Sequence, residues 1–276
     1  MPPVPHPSPA ADVAAVLLAA GKGTRMQSDL PKVVHPVMDR PMISWVVEAC
    51  RDAGVSRIVV VVGYEAATVR DALADEVSAG EDGRGPAIAF AEQTQQLGTG
   101  DAARAAVPAL EGFPADGTVL IMCGDGPLIT AQTLRTILEQ HHASGAAATL
   151  ATAELDDPTG YGRVLRGEDG NFQAIVEQKD ATPEQLAVRE VNPSYYAFRA
   201  GPLFEQLSHL TNDNAQGEYY LTDVPGMLRE AGETVGVVNA VPADQILGVN
   251  TLNDLAHVDG VLRARHGGGA PEGSGA

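Results

Sequence analysis

The sequence from Val13 to Met26 is VAAVLLAAGKGTRM, a strand-sized apolar run followed by a glycine-rich loop. The run Val13 to Leu18 carries no polar side chain, which predicts a strand buried on both faces. The loop from Gly21 to Arg25 can bring backbone N–H groups close to phosphate oxygens. It lacks Walker A spacing, and Met26 stands where a dinucleotide fingerprint has its third glycine. On these residues alone, a phosphate loop and a plain strand-to-helix turn are equally open.

The first part of the chain alternates apolar strand-sized runs with stretches of helical periodicity. This alternation favours an α/β fold with a mostly parallel sheet covered by helices on both faces. In such sheets ligands bind at the carboxyl ends of the strands, near a change in strand order. The predicted strands are 13–18, 58–62, 87–91, 118–122 and 147–153, and the predicted helices are 42–53, 67–77, 99–110 and 131–143.

The pattern changes after Asp156, where two short runs joined by Gly167-Glu168-Asp169-Gly170 predict a hairpin. Thr251 and Asp254 have capping-box spacing at the start of a last helix. Pro225-Gly226 is expected to interrupt a helix over 218–231. The remaining predicted elements are strands 161–165, 172–176, 191–198, 235–241 and 246–249, and helices 201–210 and 251–265.

Composition bounds the classes of protein to consider. The 276 residues carry a formal net charge of −18, so a general nucleic-acid binder with a basic face is disfavoured. No apolar run approaches the ~18 residues of a membrane span. The N-terminus is rich in proline and lacks the features of a secretory signal. Cys50 and Cys123 lie in apolar segments and are expected to be free thiols, which predicts a cytoplasmic protein.

Several further motifs carry chemistry-bearing residues in a fixed order. The loop residues Leu18 to Lys32 resemble the signature of the sugar-1-phosphate nucleotidylyltransferases, and within them most closely the N-terminal uridylyltransferase domain of the bacterial GlmU family. Order and spacing of the motifs hold from about residue 13 to 265. The other motifs that carry the resemblance are Gln93 to Gly100, Gly124 to Leu128, Pro158 to Arg163, Ile175 to Thr182, Asn212 to Asp223 and Gly248 to Asn250.

The resemblance implies a fold and a division of the chain. The fold would be Rossmann-like, with a mixed, mostly parallel sheet of the nucleotide-diphospho-sugar transferase (GT-A-like) type and a small β-rich sugar-binding insertion. The family's C-terminal acetyltransferase β-helix has no counterpart among these residues. The predicted parts are a disordered leader 1–11, a nucleotidylyltransferase domain 12–266 and a disordered tail 267–276. Within the domain, 12–153 would bind the nucleotide, 154–250 the sugar, and 251–266 would form the C-terminal helix.

The resemblance also implies roles for individual residues. Arg25 and Lys32 would be catalytic cations. Asp125 and Asn250 would hold Mg²⁺, whose preferred ligands are oxygens and whose shell phosphate and water can complete. Gln93 would bind the uracil, because an amide both donates and accepts hydrogen bonds. The remaining nucleotide contacts would be Leu18, Ala19, Ala20, Gly21, Lys22, Gly23, Thr24, Gly98 and Thr99, and the sugar contacts would be Gly162, Glu177, Asn192, Tyr220 and Thr222.

The implied reaction joins UTP to a sugar 1-phosphate, with N-acetylglucosamine 1-phosphate as the expected sugar, and releases pyrophosphate. Glucose 1-phosphate with UTP or dTTP is an alternative, and so is a non-catalytic sugar-nucleotide-binding regulator. A glycosyltransferase ranks lowest because Gly124-Asp125-Gly126 lacks an Asp-x-Asp motif. The family usually has Asn-Thr/Ser-Gly where this chain has Asn192-Pro193-Ser194, which leaves the exact sugar open. No nucleic-acid or membrane partner is expected, and an oligomer is neither required nor excluded.

Overall fold

A computed structural model describes residues 12–267 of the chain. The predicted leader 1–11 and the tail beyond Gly267 lie outside the described residues. The strands are β1 Val13–Leu18, β2 Pro36–Val37, β3 Arg40–Pro41, β4 Arg57–Val62, β5 Ala87–Glu92, β6 Thr118–Cys123, β7 Ala148–Glu154, β8 Gly162–Arg166, β9 Phe172–Val176, β10 Glu190–Arg199 and β11 Val235–Asn239. The α-helices are α1 Met42–Asp52, α2 Ala66–Ala72, α3 Ala74–Glu81, α4 Thr99–Ala106, α5 Ala131–Ser144, α6 Pro183–Leu186, α7 Ala200–His209, α8 Val224–Glu230 and α9 Leu252–Gly267.

One large mixed sheet forms the centre of the described part of the chain. Its strand order is β11-β7-β10-β6-β1-β4-β5, with β8 pairing to β10 and β9 pairing to β8. The pairs of β1 with β4 and β6, of β4 with β5, and of β7 with β11 are parallel. Strand β10 runs antiparallel to both of its long neighbours, β6 and β7. The mixed, mostly parallel sheet that the sequence predicted is confirmed.

Both faces of the sheet are buried, which explains why its strands are apolar without alternation. One core contains side chains of α1, α2 and α5, such as Val46, Val69 and Ile137. The other contains side chains of α4, α7 and α8, such as Ala103 and Leu207. Within residues 12–267, none of the helices is both long and apolar enough to cross a lipid bilayer.

The topology places the loops that follow β1 and β6 at the same edge of the sheet. Strands β1 and β6 are parallel neighbours, and their last residues, Leu18 and Cys123, are paired. The glycine-rich loop after β1 and the Gly124-Asp125 turn after β6 therefore leave the sheet side by side. Gly124 also donates a backbone hydrogen bond of 2.9 Å to Leu18. Strand order reverses at β1, which is where nucleotide crevices form in doubly wound sheets.

Three predictions about secondary structure were wrong. The predicted helix 218–231 begins only at Val224, after a 3-10 turn over Leu221–Asp223. Pro225 lies in the first turn of α8, where a missing N–H leaves no hydrogen bond unmade, so Pro225-Gly226 starts the helix and does not interrupt it. The predicted helix 67–77 is divided at Leu73 into α2 and α3.

The third error concerns 246–249, which is apolar but belongs to no strand of the described sheet. Ile246 and Val249 are nevertheless buried, at 4% and 0% exposure. The backbone N–H of Val249 donates to the carbonyl of Asp125 over 3.0 Å. This apolar run is therefore buried beside the Asp125 loop without being part of the sheet. An apolar composition predicts burial, but it does not by itself predict a strand.

Candidate functional site

Two adjoining cavities open at the carboxyl edge of the sheet. The loop cavity, of about 290 Å³, is lined by Leu18 to Gly21, Lys32, Val33, Gln93, Gln96, Gly98, Thr99, Ala102, Cys123, Asp125 and Glu218. The hairpin cavity, of about 430 Å³, is lined by Gly160 to Gly162, Glu177, Asn192 to Tyr195, Arg25, Cys123, Asp125, Ile246 to Gly248, Asn250 and Thr251. Cys123 and Asp125 line both cavities, so Asp125 stands at their junction.

Four polar side chains from distant parts of the sequence meet at this junction. The Nζ of Lys32 forms an ion pair with Oδ2 of Asp125 and donates to Oδ1 of Asn250 over 3.1 Å. Arg25 donates to the same Asn250 oxygen over 2.8 Å. The side chains of Lys32 and Asp125 are each 17% exposed, so solvent screens their interaction only in part. The predicted cations and the predicted metal ligands therefore share one site.

The residue types fit a divalent cation that prefers oxygen. One ammonium contacts both the Asp125 carboxylate and the Asn250 amide oxygen, so a single small cation has access to both. These are hard oxygen donors of the kind Mg²⁺ takes when phosphates and water supply its remaining ligands. Among the described residues, no group of three or more His, Cys, Asp or Glu side chains is arranged as a metal site.

The predicted capping box at the start of α9 also holds the backbone of Asn250. Thr251 and Asp254 form the capping box of α9, with Asp254 accepting from the backbone N–H of Thr251 over 2.8 Å. The same carboxylate accepts from the backbone N–H of Asn250 over 2.9 Å. Burial raises the pKa of Asp254, but these hydrogen bonds outweigh burial and hold it below its usual value. The helix cap thus fixes the residue whose side chain reaches Lys32.

The glycine-rich loop contributes to the site in two different ways. Leu18 to Gly21 line the loop cavity, and a Cβ on Gly21 would meet nothing within 4 Å, so its backbone faces open space. Gly23 has φ +65°, and a Cβ there would lie 2.7 Å from Cβ of Lys32, so only glycine lets Lys32 approach.

Three predicted nucleotide contacts, Lys22, Gly23 and Thr24, are not among the residues that line the two cavities. The ammonium of Lys22 lies 4.9 Å from the ring centre of Tyr64.

Gln93 lines the loop cavity and is buried, with 5% exposure. Its Nε2 donates to the carbonyl of Gly98 over 3.1 Å and to Oδ2 of Asp101 over 2.8 Å. Both partners are acceptors, so they fix the orientation of the amide and occupy its two protons. The prediction that Gln93 both donates and accepts is therefore refined: only the carbonyl oxygen is left to face a ligand. Asp101 was not predicted from the sequence.

The turn around Gly98 is fastened to a remote segment. Gly98 has φ +111°, and a Cβ there would lie 2.5 Å from the carbonyl oxygen of Tyr219. The backbone N–H of Tyr219 donates to Leu97 over 2.7 Å, and Gly100 donates back to Tyr219 over 2.8 Å. The hydroxyl of Thr99 accepts from the Leu221 N–H over 3.1 Å. This explains why the motifs at 93–100 and 212–223 occur together.

The predicted sugar contacts are divided between two cavities. Gly162, Glu177 and Asn192 line the hairpin cavity. Tyr220 and Thr222 line a third cavity of about 250 Å³, which also borders on Glu177. Thr222 donates to Oε1 of Glu177 over 3.1 Å, so this carboxylate lies between the two spaces. Burial raises the pKa of Glu177, and the Thr222 hydrogen bond partly opposes that rise.

Comparison with a solved structure identifies the fold as the nucleotide-diphospho-sugar transferase type that the motif resemblance implied. A solved structure of UDP-glucose pyrophosphorylase complexed with UDP-glucose has the same fold, with a TM-score of 0.73, 18% identity, and coverage of 91% of this chain and 98% of that chain. The chain belongs to the family of MobA-like NTP transferase domains, whose model matches residues 15–223.

Curated bacterial relatives agree with this assignment. The bifunctional protein GlmU of Pelobacter propionicus is 49% identical over 254 residues, covering 92% of this chain and 53% of the relative. GlmU of Geobacter metallireducens is 48% identical over 254 residues, covering 92% and 51% respectively. The chain thus spans about half the length of the relatives it matches, and the resemblance predicted from its motifs is confirmed.

Proposed function

We propose that this chain transfers the uridylyl group of UTP to N-acetylglucosamine 1-phosphate, giving UDP-N-acetylglucosamine and pyrophosphate. One observation carries the proposal: Asp125 lies at the junction of two cavities, one with the glycine-rich loop and one with the hairpin residues, and Lys32 pairs with it there while Arg25 binds the neighbouring Asn250. That arrangement suits a reaction between a nucleotide and a second phosphate. The similarity to GlmU supports the choice of nucleotide and sugar.

The loop cavity would receive the nucleotide base. With its amino group engaged by Gly98 and Asp101, Gln93 offers an acceptor oxygen. Uracil and thymine carry an N3–H donor that matches this oxygen. The N3 of cytosine is itself an acceptor, so neither it nor the Gln93 oxygen would have a hydrogen-bond donor. We therefore expect UTP and dTTP to bind better than CTP.

The hairpin cavity would receive the sugar. Glu177 can accept hydrogen bonds from ring hydroxyls, while the Asn192 amide contributes polar contacts beside it. The third cavity, on the far side of Glu177, is bordered by Tyr220 and Thr222 and lies within reach of a substituent on the sugar. We propose that this space accommodates the N-acetyl group.

The reaction requires the approach of two anions more than it requires proton transfer. A phosphate oxygen of the sugar 1-phosphate attacks the α-phosphorus of UTP, and the bond from that phosphorus to the β-phosphate oxygen breaks as pyrophosphate leaves. The attacking oxygen is already ionised, so no general base is needed. Arg25 and Lys32 would offset the charge of the phosphates and of the leaving group. Mg²⁺ held by Asp125 and Asn250 would neutralise further phosphate charge.

The proposal is tested by measuring pyrophosphate release with Mg²⁺ for each pairing of UTP, dTTP or CTP with N-acetylglucosamine 1-phosphate or glucose 1-phosphate. We expect the fastest release with UTP and N-acetylglucosamine 1-phosphate. Release only with glucose 1-phosphate would reassign the sugar. No release with any pair, together with tight binding of UDP-N-acetylglucosamine, would indicate a regulator. A cytoplasmic location is part of the same proposal, because UTP is a cytoplasmic substrate.

A further inference from the structure

A bulge in β10 turns three residues towards the hairpin cavity. Val191 pairs with Ala153, and the next pair is Tyr195 with Ala151. The chain therefore advances by four residues in β10 where it advances by two in β7, so β10 contains extra residues at this point. The extra residues fall within Asn192–Ser194, all of which line the hairpin cavity. Bulges beside functional sites commonly redirect a side chain that a regular strand would aim elsewhere.

Ser194, within this bulge, has a strained backbone conformation. Its φ is +65°, in the left-handed region that glycine adopts freely and other residues avoid. Strain of this kind is retained mostly where function requires it. Among the described non-glycine residues with positive φ, Ser194 alone lines the loop or hairpin cavity; the others are Gln27, Met38, Asp39 and Glu65. A serine here points to a contact that glycine could not make.

Hydrogen bonds hold the backbone of Ser194 in place beside the hairpin cavity. The Ser194 N–H donates to Oδ1 of Asn192 over 3.2 Å, and Nδ2 of Asn192 donates to the Tyr196 hydroxyl over 2.6 Å. Burial raises the pKa of Tyr196, although hydrogen bonds with Asn192 and Ser194 oppose the rise, so the phenol keeps its proton. Ser194 lines the hairpin cavity, so its hydroxyl can turn towards a sugar bound there and donate a hydrogen bond to it.

We propose that Ser194 is a sugar-binding residue, whose Oγ donates a hydrogen bond to an acceptor oxygen of the sugar bound in the hairpin cavity. This inference rests on the proposed function and deepens it. The acceptor is a ring hydroxyl if the N-acetyl group lies in the third cavity, or the carbonyl of that group if it stays in the hairpin cavity, and the same donor serves both.

The test compares Ser194→Ala, which removes the hydroxyl but keeps the strain, with Ser194→Gly, which removes both. Calorimetry would measure Kd for UDP-N-acetylglucosamine, UDP-glucose and UDP, and kinetics would measure KM for the sugar 1-phosphate and for UTP. Loss of one hydrogen bond should raise Kd for the UDP-sugar about 3- to 10-fold in both variants. Kd for UDP and KM for UTP should not change.

The matched control is Ser208→Ala, because Ser208 is exposed on α7 and its hydroxyl donates to the carbonyl of Glu205. It should leave every constant unchanged. Ser194→Gly should also melt at a higher temperature than Ser194→Ala, since glycine relieves the strain. If only UDP-N-acetylglucosamine binds more weakly, the acceptor is the acyl carbonyl. If UDP-glucose weakens equally, the acceptor is a ring hydroxyl.

Unchanged Kd for both UDP-sugars in Ser194→Ala, in an enzyme that still releases pyrophosphate, would overturn the inference and leave the proposed function intact. Conversely, Ser194-dependent binding by a protein that releases no pyrophosphate would support the inference and refute the proposed catalysis. A wild-type protein that binds no UDP-sugar would refute both.

Discussion

Replacing Lys32 by methionine tests the charge arrangement at the junction of the two cavities. Methionine keeps most of the side-chain length and removes only the ammonium. In the proposed reaction Lys32 offsets the charge of the phosphates, so Lys32→Met should slow pyrophosphate release. Because Lys32 also contacts the oxygens of Asp125 and Asn250, its removal should leave those oxygens freer to bind a divalent cation.

The size of each effect follows from the geometry. Two unit charges about 4 Å apart interact by about 4 kcal/mol at an effective dielectric constant of ~20, which suits a site that is largely shielded from solvent. Desolvation offsets part of this energy. Loss of about 3 to 4 kcal/mol of transition-state stabilisation corresponds to a roughly 10²- to 10³-fold lower kcat. Release of about 1 to 2 kcal/mol of competition at Asp125 would tighten metal binding roughly 5- to 30-fold.

The assay has two readouts and a matched control. Steady-state pyrophosphate release gives kcat, and titration with Mn²⁺ followed by electron paramagnetic resonance gives metal affinity without nucleotide. Lys22→Met removes a cation from the same loop, but its ammonium lies over the Tyr64 ring and away from Asp125. We expect Lys22→Met to change kcat less than about 5-fold and to leave Mn²⁺ affinity unchanged, since cation–π contacts at exposed sites contribute little.

Either of two results would show that Lys32 has been assigned the wrong role. If Lys32→Met binds Mn²⁺ no more tightly than the wild type, Lys32 and the metal do not share the Asp125 and Asn250 oxygens. If its kcat stays within about 5-fold of wild type while Lys22→Met is strongly impaired, the catalytic cation has been misassigned. Lys32→Met leaves the Asp125 carboxylate without its ion-pair partner, which lowers the stability of the fold. A thermal melt of each variant measures this loss and checks that the protein is still folded.

Three further predictions concern binding and stability. Glu177→Gln should raise KM for the sugar 1-phosphate about 10-fold or more with little change in KM for UTP. Equal changes in the two KM values would show that Glu177 does not bind the sugar. Gly98→Ala should unfold at lower urea and bind UTP poorly, because its Cβ would lie 2.5 Å from the Tyr219 carbonyl oxygen at φ +111°; wild-type binding and stability would contradict that steric argument. Burial, helped by nearby positive charge, lowers the pKa of His141 to about 4, so its contribution to stability is present above pH 6.5 and is lost as the pH falls towards 4. Between pH 6.5 and 5 the free energy of unfolding should fall by about 2 kcal/mol more in wild type than in His141→Gln, and equal pH dependence in urea titrations would rule out a buried neutral His141.

Much of the fold could be predicted because local pattern and global environment agree. Val13 to Leu18 lies between two parallel strands and is buried on both faces, so its apolar run has one interpretation. The capping box at Thr251 and Asp254 is equally local, and the structure contains it. The residues around Ile246 could not be predicted correctly, because an apolar run beside a cavity has the same composition as a strand.

Part of the candidate site could be predicted because two of its motifs directly follow strands, and neighbouring parallel strands end at the same edge of the sheet. Leu18 and Cys123 are paired at one sheet edge, which brings Lys32 and Asp125 together once the fold is known. The supporting residues were missed because their function is to position others. Asp101 has no signal in the sequence beyond its place in α4, yet it fixes the amide of Gln93.

Ser194 illustrates what composition and spacing leave undetermined. The sequence marks it only as a residue where the family usually has glycine. Its positive φ and its place in a bulge become visible only with the backbone. The division of the predicted sugar contacts between two cavities is likewise a property of packing, since Glu177 and Thr222 come from segments far apart in sequence.

In the proposed complex, nucleotide and sugar occupy adjoining cavities that meet at Asp125. A crystal structure of the protein with UDP-N-acetylglucosamine and Mg²⁺ is the decisive measurement. We expect the uracil beside Gln93, the sugar beside Glu177 and Asn192, and the diphosphate next to Asp125. A ligand bound in the opposite orientation, or outside both cavities, would contradict it.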